Sequence, residues 1–290
     1  MKTLSVSIII PCKDEQSSIG SLIEELQANT VFNEIIIVDD GSTDNTQDIL
    51  KQYKDIIVIK NPYSKGNGAA IKSGARKAKS DLLLFMDADG QHKPEDIPNL
   101  IAGIHEGYDM VVGARASKSQ ASLPRLIGNN FYNKFASLIT GHKIKDLTSG
   151  FRVCKKDLFL QFIALLPNRF SYPTTITMAF IRNGYSVKYT SIECNERTGK
   201  SHISLLKDGL RFLIIIFKIG SLYSPLKIIA PISLFLFSSG LGLYLYNYIV
   251  NGKLTNMSMM LLMTSTLIFI IGLISEQVTT LIYMSINKSK

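Results

Sequence analysis

The 290-residue chain has no tryptophan, three cysteines and four histidines, and only two of its 23 carboxylates fall in the last 87 residues. Without tryptophan, any motif that requires an indole is excluded. Cys12, Cys154 and Cys194 are too few and too scattered for a disulfide framework or a zinc site, so reduced and mostly buried thiols are expected. No signal peptide opens the chain, because the apolar run Val6–Ile10 is too short for one and stops at Pro11. The first part of the chain is therefore expected in the cytoplasm. Residues 204–290 hold Asp208 and Glu276 against seven Lys/Arg, whereas residues 1–203 hold 21 Asp/Glu and 25 Lys/Arg. The overall charge of +9 and hydrophobic content of 46% thus average two regions: a nearly balanced globular one and a basic, apolar tail. This pattern excludes a disordered chain, a collagen-like repeat and a small disulfide scaffold. Nucleic-acid binding is not indicated, because the excess positive charge lies beside the apolar segments.

The tail contains two uncharged runs, Ile228–Val250 and Met257–Ile274. At about 1.5 Å per residue, each is long enough to cross a hydrocarbon core of about 30 Å. Pro231 is expected in a first helical turn, where it is tolerated. Asn251–Asn256 leaves room only for a tight polar loop, which predicts a transmembrane hairpin of about 228–250 and 257–282 within residues 228–286. Lys207, Arg211, Lys218, Lys227, Lys288 and Lys290 flank its outer ends against Lys253 alone in the loop. Both ends are therefore expected on the cytoplasmic side of the inner membrane. Residues 204–227 form a juxtamembrane segment in which Leu205–Ile219 mixes apolar and basic residues, as an interfacial helix does.

Residues 1–203 read as one α/β domain. Strands are predicted at Ser5–Ile10, Glu34–Val38, Ile56–Ile59 and Leu82–Met86, alternating with helices at Ser17–Ala28, Asp44–Tyr53 and Gly68–Ala78. This order implies a mostly parallel sheet covered on both faces, with ligands outside the carboxyl ends of its strands. The polar clusters Pro11–Glu15, Asp39–Asp44 and Asp87–Gln91 all follow strands, so they are expected to share one edge. The loop Ser64-Lys65-Gly66-Asn67-Gly68 is a poor dinucleotide fingerprint, since Ile71 stands where the third glycine belongs. Its backbone N–H groups could still approach phosphates at the helix start. In Asp87-Ala88-Asp89-Gly90-Gln91, two carboxylates and an amide alternate with small residues. Such hard oxygen donors suit Mg²⁺ or Mn²⁺ beside a diphosphate.

Six ordered motifs carry a family resemblance. Ile10-Pro11-Cys12-Lys13-Asp14-Glu15, Val38-Asp39-Asp40-Gly41-Ser42-Thr43-Asp44 and Met86-Asp87-Ala88-Asp89-Gly90-Gln91-His92 resemble the inverting glycosyltransferase family 2, whose catalytic domain has the Rossmann-like GT-A fold. Val112-Gly113-Ala114-Arg115, Thr148-Ser149-Gly150-Phe151-Arg152 and Arg197-Thr198-Gly199-Lys200-Ser201 look like its branch of dolichol-phosphate mannose synthases and bacterial polyprenyl-phosphate glycosyltransferases. The resemblance implies a metal-dependent hexosyltransferase that uses a UDP- or GDP-linked sugar and a polyprenyl monophosphate at the cytoplasmic membrane face. It further implies that Pro11, Glu15 and Asp40 hold base and ribose, with Val38, Asp39 and Ala88 at the donor site. Asp87 would support the diphosphate, and Asp89 with Gln91 would bind the metal. Arg115, Arg125 and Arg197 would lie along the phosphates, with Asp89, Arg115 and Arg125 catalytic. Arg125, Ser149, Lys200 and Ser201 would meet the acceptor phosphate.

Two departures stand out: Cys12-Lys13-Asp14, where relatives often carry Tyr-Asn before the Glu, and His202, where Lys is frequent. His92, His105 and His142 are read as loop or surface residues, and Arg125 as part of a polar, Ser-rich loop. Arg152 is read either as a functional cation or as half of a fold-stabilising ion pair. A processive polysaccharide synthase is disfavoured, since its Gln-x-x-Arg-Trp motif needs a tryptophan. A nucleotide-sugar-binding subunit without turnover is the rival from another class. Two helices are too few for a flippase, so translocation is left to a separate partner, and a homo-oligomer stays open. The sugar is not legible, although UDP-sugars are favoured by analogy.

Overall fold

The computed structural model describes residues 4–28, 32–115, 123–169, 172–194, 217, 220–221, 223–253 and 255–288. The chain divides into two compact units, Met1–His202 and Ile203–Lys290.

In the first unit, short β-branched and leucine-rich runs form seven strands: β1 (Val6–Cys12), β2 (Glu34–Asp39), β3 (Ile57–Lys60), β4 (Leu82–Phe85), β5 (Met110–Arg115), β6 (Arg152–Lys155) and β7 (Val187–Ile192). They make one sheet in the order β3-β2-β1-β4-β6-β5-β7. The pairs β1/β2, β1/β4, β2/β3 and β5/β7 are parallel, whereas β6 runs antiparallel to both β4 and β5. The expected mostly parallel sheet is therefore present, with one reversed strand inserted. That reversal matters for the site, because it sends the segment entering β6 to the edge where β4 ends.

Helices connect the strands: α1 (Ile19–Gln27), α2 (Thr46–Leu50), α3 (Asn67–Lys77), α4 (Ile97–His105), α5 (Leu123–Thr140), α6 (Lys156–Gln161) and α7 (Tyr172–Arg182). The second is shorter than the spacing over Asp44–Tyr53 predicts, because Asp44 Oδ1 and Thr46 close a turn before the helix begins. Alternate side chains of the buried strands go to opposite faces. Ile8 and Ile10 pack with Leu22 and Ile23 of α1 and Leu100 of α4. On the other face Phe85 meets Phe159 of α6 and Tyr172 of α7, with ring centroids 4.8 and 6.1 Å away. The three cysteines are unpaired, and Cys12 and Cys154 are buried.

The second unit is built on α8 (Pro225–Asn251) and α9 (Asn256–Lys288), joined through Gly252 in the left-handed conformation (φ 63°). Both are long and apolar enough to cross a membrane. Leu234, Phe235, Ile249 and Met263 are exposed, as lipid-facing residues must be. Small residues let the helices approach: a Cβ on Gly240 would lie 3.0 Å from Leu261 Cβ, and one on Gly272 3.0 Å from Ile229 Cγ2. Ser233 Oγ donates to the Ser265 carbonyl at 2.9 Å. Glu276 accepts the Leu226 N–H at 3.3 Å, which satisfies one donor of the first turn of α8. Pro231 stands in the second turn of α8 rather than the first, where it withholds a hydrogen bond from the Lys227 carbonyl. The expected interfacial helix at Leu205–Ile219 falls mostly outside the described residues.

Gly74 lets α3 sit against the sheet, since a Cβ there would come 2.5 Å from Ile9 Cγ2 and 3.3 Å from Val38 Cγ2. Helix propensity alone favours Gly74→Ala by about 1 kcal/mol. Overpacking opposes it by roughly 1–3 kcal/mol. A net loss of stability is therefore expected, read as a lower unfolding midpoint of the detergent-solubilised chain; an unchanged or raised midpoint would contradict this packing.

Candidate functional site

Parallel register places three strand ends together: Cys12 pairs with Asp39 across β1/β2, and Ile9 with Phe85 across β1/β4. Beyond this edge lies a cleft of ≈ 380 Å³. Pro11, Cys12, Lys13 and Glu15 line it after β1, Asp40 after β2, Ser64, Gly66 and Asn67 at the start of α3, and Asp87, Ala88 and Asp89 after β4. The three polar clusters thus meet as expected. Burial, with the negative field of Asp39, Glu15, Asp44 and Asp40, pushes the Cys12 thiol up to about 12. It is protonated at neutral pH and offers neither a nucleophile nor a metal ligand.

Asp40 organises the wall of this cleft. Its Oδ1 accepts from Asn61 Nδ2 at 2.8 Å and the Lys65 N–H at 2.9 Å. Its Oδ2 accepts from Ser64 Oγ and the Gly66 N–H, both at 2.8 Å. Burial works against the charge, yet these four donors hold the Asp40 carboxyl below the usual carboxylate range. The carboxylate is thereby occupied within the protein, and two N–H groups of the glycine loop are spent on it rather than left for a phosphate. Gly66 adopts φ 101°, and a Cβ there would lie 2.7 Å from the Asn168 carbonyl, so glycine is required twice over. Asp39 is buried and accepts the Ser42 N–H at 2.9 Å, while its Oδ2 has no partner among the described residues. Val38 is likewise a buried core residue, packed against α3 instead of facing a donor. Asp14, at the departure from the usual motif, takes φ 54° and accepts the Thr43 N–H at 2.7 Å, clasping the first two loops together.

Asp87 and Asp89 line the cleft on either side of Ala88, whose carbonyl is fixed by Ser18 Oγ at 2.8 Å. Gln91 is not among the cleft-lining residues; its N–H donates to Asp89 Oδ1 at 3.2 Å. Asp87 faces Gly150, where a Cβ would run into its carboxylate. His92 is 5% exposed and stacks on Phe151 at 5.0 Å, contrary to its reading as a surface residue; His105 and His142 are exposed as expected. The His92 backbone bridges Cys194. Burial outweighs the pull of Asp89 and lowers the imidazole to about 4, so it is neutral at pH 7. Two hard carboxylates beside a phosphate-sized cleft fit Mg²⁺ or Mn²⁺, which take one or two carboxylates and complete their shell with phosphates and water. No group of three His, Cys, Asp or Glu that could hold a metal exists among the described residues, so the protein alone supplies only part of such a shell.

The arginines are placed differently from expectation. Arg115 forms a bidentate pair with Asp146, Nε–Oδ2 2.8 Å and Nη2–Oδ1 3.0 Å, and donates to Thr148 Oγ1 at 2.7 Å. Asp146 also accepts the N–H groups of Thr148 and Ser149 at 3.2 Å, so the pair shapes the loop that ends in Gly150. Arg115 is therefore held against Asp146, which offsets its charge. Arg152 is fully buried without a carboxylate partner among the described residues. It bonds the Ser149 carbonyl, the Pro173 carbonyl at 2.9 Å and Thr177 Oγ1 at 2.8 Å, so the expected ion pair is replaced by carbonyl and hydroxyl acceptors. Ser149 is buried, and its Oγ has no partner among the described residues. Arg125 lies in the first turn of α5 rather than in a loop; its side chain, with Arg197, Lys200 and Ser201, is outside the described residues. Asn61, Ser64, Asp146 and Gly150 are site-building residues that no role was read for; only Asp40 and the Thr148–Arg152 motif pointed near them.

Comparison with known proteins agrees with this geometry. Residues 7–162 match the model described as Glycosyl transferase family 2, and residues 224–281 the one described as GtrB C-terminal hairpin. Undecaprenyl-phosphate 4-deoxy-4-formamido-L-arabinose transferase of Yersinia enterocolitica is 34% identical over 192 residues, 60% of this chain and 58% of the relative. The protein of that name from Proteus mirabilis is 34% identical over 194 residues, with the same coverage. The match thus spans less than two thirds of these relatives' length. Among solved structures, glucosyl-3-phosphoglycerate synthase from Mycobacterium tuberculosis in complex with phosphoglyceric acid has a TM-score of 0.61 at 18% identity, covering 74% of this chain and 79% of that one. Its complex with Mn²⁺, UDP-glucose and phosphoglyceric acid has a TM-score of 0.61 at 16% identity, covering 75% and 80%. That likeness is one of fold.

The contact of Asp87 with Gly150 gives a sharp test. The atoms nearest a methyl at Gly150 are those of the Asp87 carboxylate, the far end of a side chain, so Gly150→Ala should fold with an unchanged unfolding midpoint. It should displace the carboxylate and lower turnover by about a hundredfold, the effect of an ångström-scale misplacement. Full turnover with intact folding would show that the position of Asp87 is immaterial.

Proposed function

Because the chain belongs to glycosyl transferase family 2, we propose that it moves a hexose from a nucleoside-diphosphate donor to a polyprenyl monophosphate at the cytoplasmic membrane face. The observation that carries this reading is the convergence of Asp87 and Asp89 in one cleft with Pro11, Glu15 and the Asp40-held loop. The apolar hairpin of α8 and α9 supports a lipid acceptor, as do the relatives named for undecaprenyl phosphate. The solved neighbour titled with UDP-glucose and Mn²⁺ supports a UDP-sugar and a divalent cation, without naming the hexose. Cytoplasmic placement of both termini rests on the lysines and arginines that flank the hairpin.

In this account Pro11, Cys12 and Glu15 receive the nucleoside end of the donor. Asp89, with Asp87 beside it, would hold Mg²⁺ or Mn²⁺, whose chemistry is to neutralise the departing diphosphate. Arg115 and Asp146 fix the loop that gives Asp87 its room. Arg125, Arg197, Lys200 and Ser201 are reserved for the acceptor and donor phosphates. An acceptor phosphate oxygen bonds to the anomeric carbon while the bond from that carbon to the diphosphate breaks, and its electron pair leaves with the nucleotide. The attacking monoester has a second pKa near 6, so it is largely dianionic at neutral pH and needs no strong base. The protein's task is alignment of two anions.

Labelled nucleotide-sugars offered to the purified chain with polyprenyl phosphate and Mn²⁺ should yield lipid-extractable label with one donor. Asp89→Ala should abolish that label, and the wild-type rate should rise with pH through about 6 and then level, as the acceptor loses its proton. Absence of label with every donor, or undiminished transfer by Asp89→Ala, would overturn the proposal.

A further inference from the structure

A second cavity adjoins the cleft and shares Asn67 and Asp87 with it. It has a volume of ≈ 130 Å³ and is bounded by Asp87, Thr148, Gly150, Arg169, Tyr172 and Thr174. It shares Asp87 with the larger cleft, so whatever enters it lies next to the donor. Arg169 stands at its rim, exposed, in the segment before α7. The backbone there is anchored: the Asn168 carbonyl accepts the Ala69 N–H at 2.8 Å, and the Leu166 carbonyl accepts Lys72 Nζ at 3.0 Å. The Arg169 stem is seated against Gly66, with Cγ 2.9 Å from where a Cβ would stand. Its guanidinium has no hydrogen-bond or ion-pair partner among the described residues.

A second cation lies behind the walls. Arg152 bonds the Ser149 and Pro173 carbonyls, one from each side of the cavity, and holds its charge in the interior without a carboxylate partner among the described residues. A buried charge left uncompensated is expensive, and a ligand of opposite sign in the adjoining space offsets that cost. Thr174 Oγ1 accepts from the Tyr132 hydroxyl at 3.2 Å, which leaves its own proton to donate. Asp87 is the one carboxylate in the lining and Arg169 the one guanidinium, with Arg152 buried behind Pro173; the lining holds no other Asp or Glu and no histidine. The cavity is suited to an anion and has no second group to take a proton.

We propose that this cavity is an oxyanion subsite, with Arg169 its contact cation, Thr174 its hydroxyl donor and Arg152 its buried field. The inference rests on the reading that the neighbouring cleft holds the donor. The oxyanion is either the phosphate monoester of the acceptor or a carboxylate carried by the transferred sugar.

The test uses the full chain in detergent and reads binding, so it stands whether or not transfer is seen. Arg169→Gln keeps the stem that packs on Gly66, and an unchanged unfolding midpoint certifies the fold. If the acceptor supplies the anion, the Kd for farnesyl phosphate without donor rises about tenfold or more, the loss of one charge-assisted hydrogen bond, and Arg169→Lys restores part of it. If the sugar supplies it, farnesyl phosphate binding is unchanged and the preference for UDP-glucuronate over UDP-glucose is lost. Equal Kd values for farnesyl phosphate and an equal preference in wild type and Arg169→Gln would overturn the subsite. Failure of the proposed transfer looks different: farnesyl phosphate binds through Arg169, yet no donor gives a labelled lipid.

Discussion

The mutual repulsion of carboxylates at one sheet edge is the constraint around which the first unit is arranged. Asp39 ends β2, and Glu15, Asp40, Asp87 and Asp89 follow strands that end side by side. The fold manages this charge residue by residue. Asp40 is held by four donors, Asp39 by the Ser42 N–H, and Asp14 by Thr43 across two loops. Farther along the edge, the Asp146 carboxylate is matched by Arg115. Asp87 is given room by a residue without a side chain. Burial first, and these carboxylates after it, drive the Cys12 thiol up to about 12. Under the proposed function, a cation and a nucleotide together would balance the charge of such a cleft.

The parts legible in the sequence were those set by local pattern. Continuous runs such as Ile35–Val38 and Leu82–Phe85 announced buried strands, and the polar clusters after them announced the edge. The apolar runs after residue 225 announced the hairpin. What was not legible depends on topology. Gly150 reaches Asp87 only because β6 is reversed between β4 and β5, and nothing in the spacing of the motifs reveals that reversal. Arg115 looked like a phosphate ligand because its partner, Asp146, is 31 residues away. His92 follows a polar turn, which suggests a loop or surface residue, yet its ring is buried against Phe151. Arg152 has a role its motif did not reveal: it ties the Ser149 loop to the start of α7 through carbonyls instead of a carboxylate.

The scarcity of carboxylates in the tail acquires meaning beside this acidic cleft. Glu276 is one of only two acids after residue 203, and it is spent on the first turn of α8. This division of charge along the sequence, with nearly all carboxylates before residue 203 and a basic tail after it, suits the proposed transfer between an anionic donor and a lipid phosphate.

The central claim is that the cleft accepts cation and nucleotide only as a coupled pair. Titrating UDP into the purified chain with Mn²⁺ and again with chelator measures this directly. The account requires UDP to bind at least about tenfold tighter with Mn²⁺, and Mn²⁺ to bind tighter with UDP by the same factor. Equal UDP affinity in both titrations would contradict it.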